Sequence, residues 1–262
     1  VTPAADAVAA RRSALAVAFF TWVMQRQMAA SFHALRLARP GLDPSLAGLA
    51  ADRPIVVYSN HPAWWDPALF IVLAQRLFAA RESYGPMDAA ALSQYRILER
   101  AGIFGIETEG YRGAARFMRV ATGLLDAPQR MLWITAQGEF ADPRDRPVAL
   151  RPGLARLLAR VPEAVALPLA VEYPFWSEKK PEALCRFGAP RLGAEATDKT
   201  LTTDLATCMN ALAEDAIARE PSRFDTLIAG GAGVGGIYDL GRRIKAALAG
   251  RAFDARHDRD AS

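Results

Sequence analysis

The sequence is poor in the residues that mark several common chemistries. It has two cysteines, Cys185 and Cys208, and three histidines, His33, His61 and His257. Two isolated cysteines form neither a disulfide framework nor a zinc site, so a reducing compartment and no metal are expected. Long apolar runs are missing too. A membrane-spanning helix needs ~20 apolar residues in succession. The longest candidate, Ala14 to Met24, has 11, with Arg11 and Arg12 before it and Gln25 and Arg26 after it. The order of basic region, apolar run and small-residue cleavage site that marks a secretory signal is absent. Acidic residues are absent from Ala7 to Leu42, a stretch that holds five arginines.

What is present is a chain of 262 residues, 52% hydrophobic, with a net charge of +4. That length buries a substantial core. The charge suits an anionic ligand or an acidic surface, and it is too mild to call for a nucleic-acid partner, so none is expected. Residues 1–44 combine the arginines with Phe19, Phe20, Trp22, Val23 and Met24, and Met28, Phe32, Leu35 and Leu37 continue the apolar character up to the turn signal "RPGLDP" at 39–44. This reads as a helical element that lies in a membrane interface or packs on the core.

The middle of the chain alternates. Strand-like runs at 54–60, 82–87, 102–108, 130–136, 164–173 and 183–190 are separated by helical patterns at 68–80, 90–102, 113–127 and 154–161, and a helix over 203–220 sets Leu205, Met209, Leu212 and Ile217 near one face. The pattern predicts an α/β fold, a layered mixed sheet flanked by helices. The expected organisation is an N-terminal helical element (1–44), a central domain (45–225), and a Gly-rich connector with a basic tail (226–262) that includes a short helix from Tyr238 to Leu248. The tail's glycines lack the preceding strand of a dinucleotide fingerprint.

The chemistry-bearing stretch is "YSNHPAWWDPALF", residues 58–70. His61 follows a buried strand, at the rim where loops of α/β sheets carry function. Asp66 precedes Pro67 and an apolar helix, which is also an N-cap pattern. One carboxylate can serve a helix N–H and an imidazole N–H together. The pair reads as a general base and its orienting acid, acting on a substrate hydroxyl, with Ser59 retained as an alternative nucleophile by its strand parity. Trp64 and Trp65 line a pocket or a membrane edge if they do not both face the core. Tyr173, Phe175 and Trp176 fit an acyl-chain wall or plain core. Cys185 and Cys208 read as inert buried thiols, and His33 and His257 as non-catalytic.

Asn60-His61, four residues and Asp66 resemble the HX4D motif of the glycerolphosphate/lysophospholipid acyltransferase family. Three later segments resemble that family's other blocks in order: "RAGIFGIETEGYRGAARFM" (100–118), "LWITAQGEFADPRDRPVALRPGLARLL" (132–158), whose Arg151 and Gly153 match a basic residue two before a glycine, and "VALPLAVEY" (165–173) with its internal Pro168. The resemblance runs from about Ile55 to Pro190. It implies acyl transfer from a thioester, acyl-CoA or an acyl carrier protein, to a lipid hydroxyl, with His61 as base, Asp66 as its orienter, and no cofactor beyond the co-substrate. It implies substrate-binding roles for Asn60, Trp64, Trp65, Arg112, Gln137, Gly138, Glu139 and Arg151, and a place at the cytoplasmic face of the cell membrane.

The chain departs from the family at telling positions. Gln137 stands for the usual glutamate, Phe140 for the usual arginine, and Glu107 and Glu109 lie where an arginine is common, with Arg112 displaced. Arginine forks suit a phosphate, so these changes favour a lysolipid or glycolipid acceptor over a small glycerol phosphate. Arg144, Arg146 and Arg151 offer a shifted phosphate site. The alternatives are a catalytically silent lipid-binding protein on the same fold, and a hydrolase in which His61 activates water.

Overall fold

The computed structural model describes residues 3–107 and 110–231. Two helices open it, α1 (Pro3–Arg11) and α2 (Ala14–Ser31), bent by 67° at the break between them. No single helix among the described residues is long and apolar enough to cross a membrane, although this bent pair together has the length and composition of a span. The helical expectation for 1–44 is corrected at its end: Ala34–Ala38 is a strand, β1. Its sequence ALRLA alternates, with Leu35 and Leu37 in the cluster beneath α2. Arg36, at the intervening position, forms an ion pair of 2.9 Å with the buried Glu182. A period of two buried on both faces specifies a strand whatever the composition around it.

After the short α3 (Ser45–Leu49) come β2 (Ile55–Ser59), α4 (Asp66–Leu77), β3 (Glu82–Asp88) and α5 (Ala89–Gln94). The expected 90–102 helix breaks at Tyr95 into α5 and a 3-10 turn, Arg96–Ala101, ended by Gly102 at φ +94°. A side chain at that φ would be strained. β4 (Ile103–Ile106), α6 (Gly110–Leu124), β5 (Arg130–Thr135), α7 (Gly153–Arg160), β6 (Val165–Glu172) and β7 (Ala183–Phe187) follow. The chain then adds β8 (Arg191–Leu192), α8 (Asp198–Ala218) and β9 (Phe224–Ala229).

The sheet order is β4-β3-β5-β2-β6-β7-β1-β9, with β8 paired to β6. β4, β3, β5, β2 and β6 run parallel, while β7 is antiparallel to β6 and β9 to β1. The mixed sheet flanked by helices agrees with the expected fold class. One face carries residues of α2 and α4, the other residues of α1, α6, α7 and α8. β2 is buried along its whole length because both faces are covered, hence its unbroken apolar run IVVYS.

Two further expectations change. Ile217 is 79% exposed, and Ala216 takes its place beside Leu205, Met209 and Leu212. Positions 205, 209, 212 and 216 keep helical spacing, and 217 falls about 100° off it. Residues 226–229 belong to β9 rather than to a connector. Residues 232–262, including the helix read over 238–248 and His257, lie outside the described residues, as does Glu109.

Candidate active site

Because β2, β5 and β6 are parallel neighbours, their carboxyl ends meet at one edge of the sheet, Ser59 pairing with Thr135 and Leu169. The loops that leave this edge carry His61, Gln137 and Tyr173. In an α/β sheet this edge is where ligands bind.

The Nδ1 of His61 is 2.6 Å from Oδ2 of Asp66, which is fully buried at the start of α4. A carboxylate only accepts, so Nδ1–H donates and the lone pair sits on Nε2, the state a general base needs. The other carboxylate oxygen accepts the Tyr173 hydroxyl at 2.7 Å. Burial raises the Asp66 pKa, against the lowering effect of the hydrogen bonds from His61 and Tyr173. Burial, then the Asp66 charge, pushes the Tyr173 phenol well above its ordinary value, so it stays a neutral donor. The result is a chain of three groups, Tyr173 to Asp66 to His61, in which the carboxylate is held from both sides.

Backbone contacts fix the histidine's loop. Gln137 Oε1 accepts the His61 N–H at 2.9 Å, and Ala141 N–H donates to the His61 carbonyl at 3.0 Å. Asn60 is fully buried, and its amide makes two bonds of 2.9 Å to the backbone of Val171. The side chain ties β2 to β6 and is shut off from solvent. Ser59 is also fully buried, donating to its neighbour's carbonyl at 2.8 Å, which removes it as a nucleophile. Both cysteines are buried, and burial raises the Cys208 thiol to about 12, so neither supplies a thiolate.

The surroundings of the base are aromatic. Phe140 lies 4.3 Å from the His61 ring, centroid to centroid, and is itself mostly exposed. Trp64 stacks on Trp65 at 4.4 Å and is 68% exposed, while Trp65 packs on Phe32. Tyr173, Phe175 and Trp176 part ways: the first reaches Asp66, the second is exposed, and the third is buried and donates to Ala216.

The remaining candidates spread out. Gly138 has φ +72°, which favours glycine, and the Arg151 side chain lies across the space a Cβ would fill. Glu139 is exposed and has no hydrogen bond or ion pair among the described residues. Arg144 is paired with Asp142 at 2.6 Å, holding that carboxyl down at about 2, and Arg146 is bound to Asn210 at 2.7 Å. Those two arginines are thus already engaged. Arg112 stands on α6, on the wall of a separate cavity whose lining includes neither His61 nor Asp66.

No protein-family profile matches the chain, and no curated protein matches it in sequence. Among solved structures it is similar to the 1-acyl-sn-glycerophosphate (LPA) acyltransferase PlsC from Thermotoga maritima, with a TM-score of 0.52 over 76% of this chain and 79% of that one. The chain shares that acyltransferase's fold. Identity is 11%, so the similarity speaks to architecture, and the site must be argued from its own atoms.

The sequence left Tyr173 as acyl-chain wall or plain core; the structure packs it against the core and adds its bond to Asp66. Its alternation with Val171 at the end of a strand beside β2 was a usable signal, and the distance to Asp66 was not. Tyr173→Phe removes one of two short bonds to the buried carboxylate. Turnover is expected to fall about 10-fold, the net worth of a hydrogen bond to a charged group, with a shift of the pH–rate profile. An unchanged profile in steady-state assays would return Tyr173 to the core.

Proposed function

We propose that the protein is an O-acyltransferase that moves a fatty acyl group from a thioester, acyl-CoA or acyl carrier protein, to the hydroxyl of a lipid. The observation that carries this reading is the 2.6 Å contact between His61 Nδ1 and Asp66 at the carboxyl edge of the parallel strands. Nε2 of His61 takes the hydroxyl proton as the acceptor oxygen attacks the thioester carbonyl. The tetrahedral intermediate collapses with loss of the thiolate, and the imidazolium returns the proton to it. Products are an ester and a free thiol, and the histidine ends as it began. Asp66 stabilises the imidazolium between the two steps, and base catalysis of this kind contributes roughly 10²–10⁴-fold.

The acceptor in this reading is a lysolipid or glycolipid. Phe140 over the base and the exposed Trp64 favour an apolar body. The protein works at the cytoplasmic membrane surface, where both substrates partition. Acyl transfer to lysophosphatidic acid and to neutral glycolipids, compared with one donor, tests the acceptor class: the glycolipid or another lysolipid should be the better substrate, and efficient use of lysophosphatidic acid alone would overturn it.

A further inference from the structure

Arg112 was singled out in the sequence and does not join His61. It lines a cavity of about 580 Å³ between α1 and α6, with Arg11, Arg116, Arg119, Glu107 and Tyr111. Four of these six residues are arginines, and one is acidic. Arg11 is matched by Glu99 at 2.8 Å, and Arg119 has a contact of its own. Arg112 and Arg116 have no ion-pair partner among the described residues.

The charge pattern is costly to the helix that bears it. Residues 112, 116 and 119 follow i, i+4, i+7, one face of α6, and no acidic residue occurs in Gly110–Leu124. Like charges at i, i+4 destabilise a helix. A solvated face normally mixes signs, whereas this one gathers a single sign around a concavity, where field lines focus on an incoming anion. Phe104, on the cavity wall, adds an apolar surface. Arginine forks next to apolar surface fit a phosphate attached to a larger, partly apolar body.

Position adds a second argument. Glu107 and Tyr111 follow the carboxyl end of β4, as His61 follows that of β2, and these strands are parallel. β4 and β2 are separated by β3 and β5, three spacings or about 14 Å. We propose that the α1–α6 cavity is an anion site for a phosphate group carried on an extended molecule. Two sources share that chemistry: the nucleotide end of a coenzyme-A-type thioester and the headgroup of an anionic lipid.

The test uses the full chain and two probes, adenosine 3′,5′-bisphosphate by calorimetry and phosphatidylcholine vesicles with and without phosphatidylglycerol by sedimentation. One probe at least should bind, at least tenfold more weakly to R112Q/R116Q than to wild type, with the charge-keeping but forkless R112K/R116K falling between the two, and within a few-fold of wild type for R160Q on the exposed end of α7. Binding of the bisphosphate assigns the site to the nucleotide, and a phosphatidylglycerol-dependent difference alone assigns it to the headgroup. The site does not depend on acyl transfer, so His61→Ala should bind like wild type even if the catalytic reading fails. No binding of either probe to wild type, or equal binding by folded R112Q/R116Q, would overturn the proposal.

Discussion

Asp66→Asn should lower acyl-transfer turnover by roughly 10³–10⁴-fold in a protein that still folds, an effect of the size known for the orienting aspartate of a serine-protease triad. The expectation follows from which atom donates. In the native site Oδ2 accepts from Nδ1–H of His61 at 2.6 Å, and Oδ1 accepts from Tyr173 at 2.7 Å. An asparagine can keep the tyrosine bond with its carbonyl oxygen only by turning its NH2 group toward Nδ1. That group donates, so the ring must place its own proton on Nε2. The nitrogen that should take a proton then already carries one, and the imidazolium loses its counter-charge.

Stability should move the other way. Burial raises the Asp66 pKa above its unfolded value. Between those two pKa values the native state binds more protons than the unfolded state, so this group's contribution to stability falls as pH rises through the window. Asparagine has no such term. Thermal melts should therefore show Asp66→Asn gaining on wild type as pH increases from about 4. A variant that loses both activity and fold at neutral pH would show that the carboxylate serves structure first.

The second large effect concerns the surface. Leu15, Phe19, Trp22 and Arg26 recur at i, i+4, i+7 and i+11 on α2, and the first three are 84%, 53% and 56% exposed. The guanidinium of Arg26 lies 5.1 Å from the centre of the Trp22 ring. An exposed aromatic stripe flanked by arginine suits a bilayer interface, with the ring at headgroup depth. Each large side chain yields about 1.5–3 kcal/mol when fully buried, and these two are half-buried already. Phe19→Ser with Trp22→Ser should thus weaken binding to anionic vesicles by roughly 30- to 100-fold. Wild-type binding should weaken with salt, at ~1 kcal/mol for each arginine near the headgroups. Vesicle binding by the double variant at the wild-type level would detach the helix pair from the membrane.

The central half of the fold was legible because local and global signals agree there. β2, β5 and β6 are apolar runs bounded by turn residues, and each matches its strand to within a residue or two. The strand at 34–38 was not, because five residues after a long apolar helix carry the same composition as its last turn, and only the sheet shows that Leu35, Arg36 and Leu37 are all buried. β9 was hidden by a similar ambiguity: FDTLIA is short, exposed at three positions, and runs into a glycine pair. At the site, His61 and Asp66 were readable from spacing and strand position. Asn60 and Gln137 were legible as neighbours of the base, and their bonds to the backbone of Val171 and His61 were not, since clamping a backbone and binding a ligand call for the same amide group. The hydroxyl of Tyr173, 107 positions from Asp66, is a product of the crossover and has no local trace.

The most direct measurement is product formation by the purified full chain, with radiolabelled acyl-CoA or acyl carrier protein as donor and a total lipid extract as acceptor, for wild type and His61→Ala side by side. The account predicts a labelled lipid ester and one free thiol per ester from wild type. His61→Ala, with an unchanged melting temperature and unchanged vesicle binding, should yield less than a hundredth as much, at the low end of what a general base contributes. Ester formed at the wild-type rate by His61→Ala, or free fatty acid as the sole product of wild type, would contradict it.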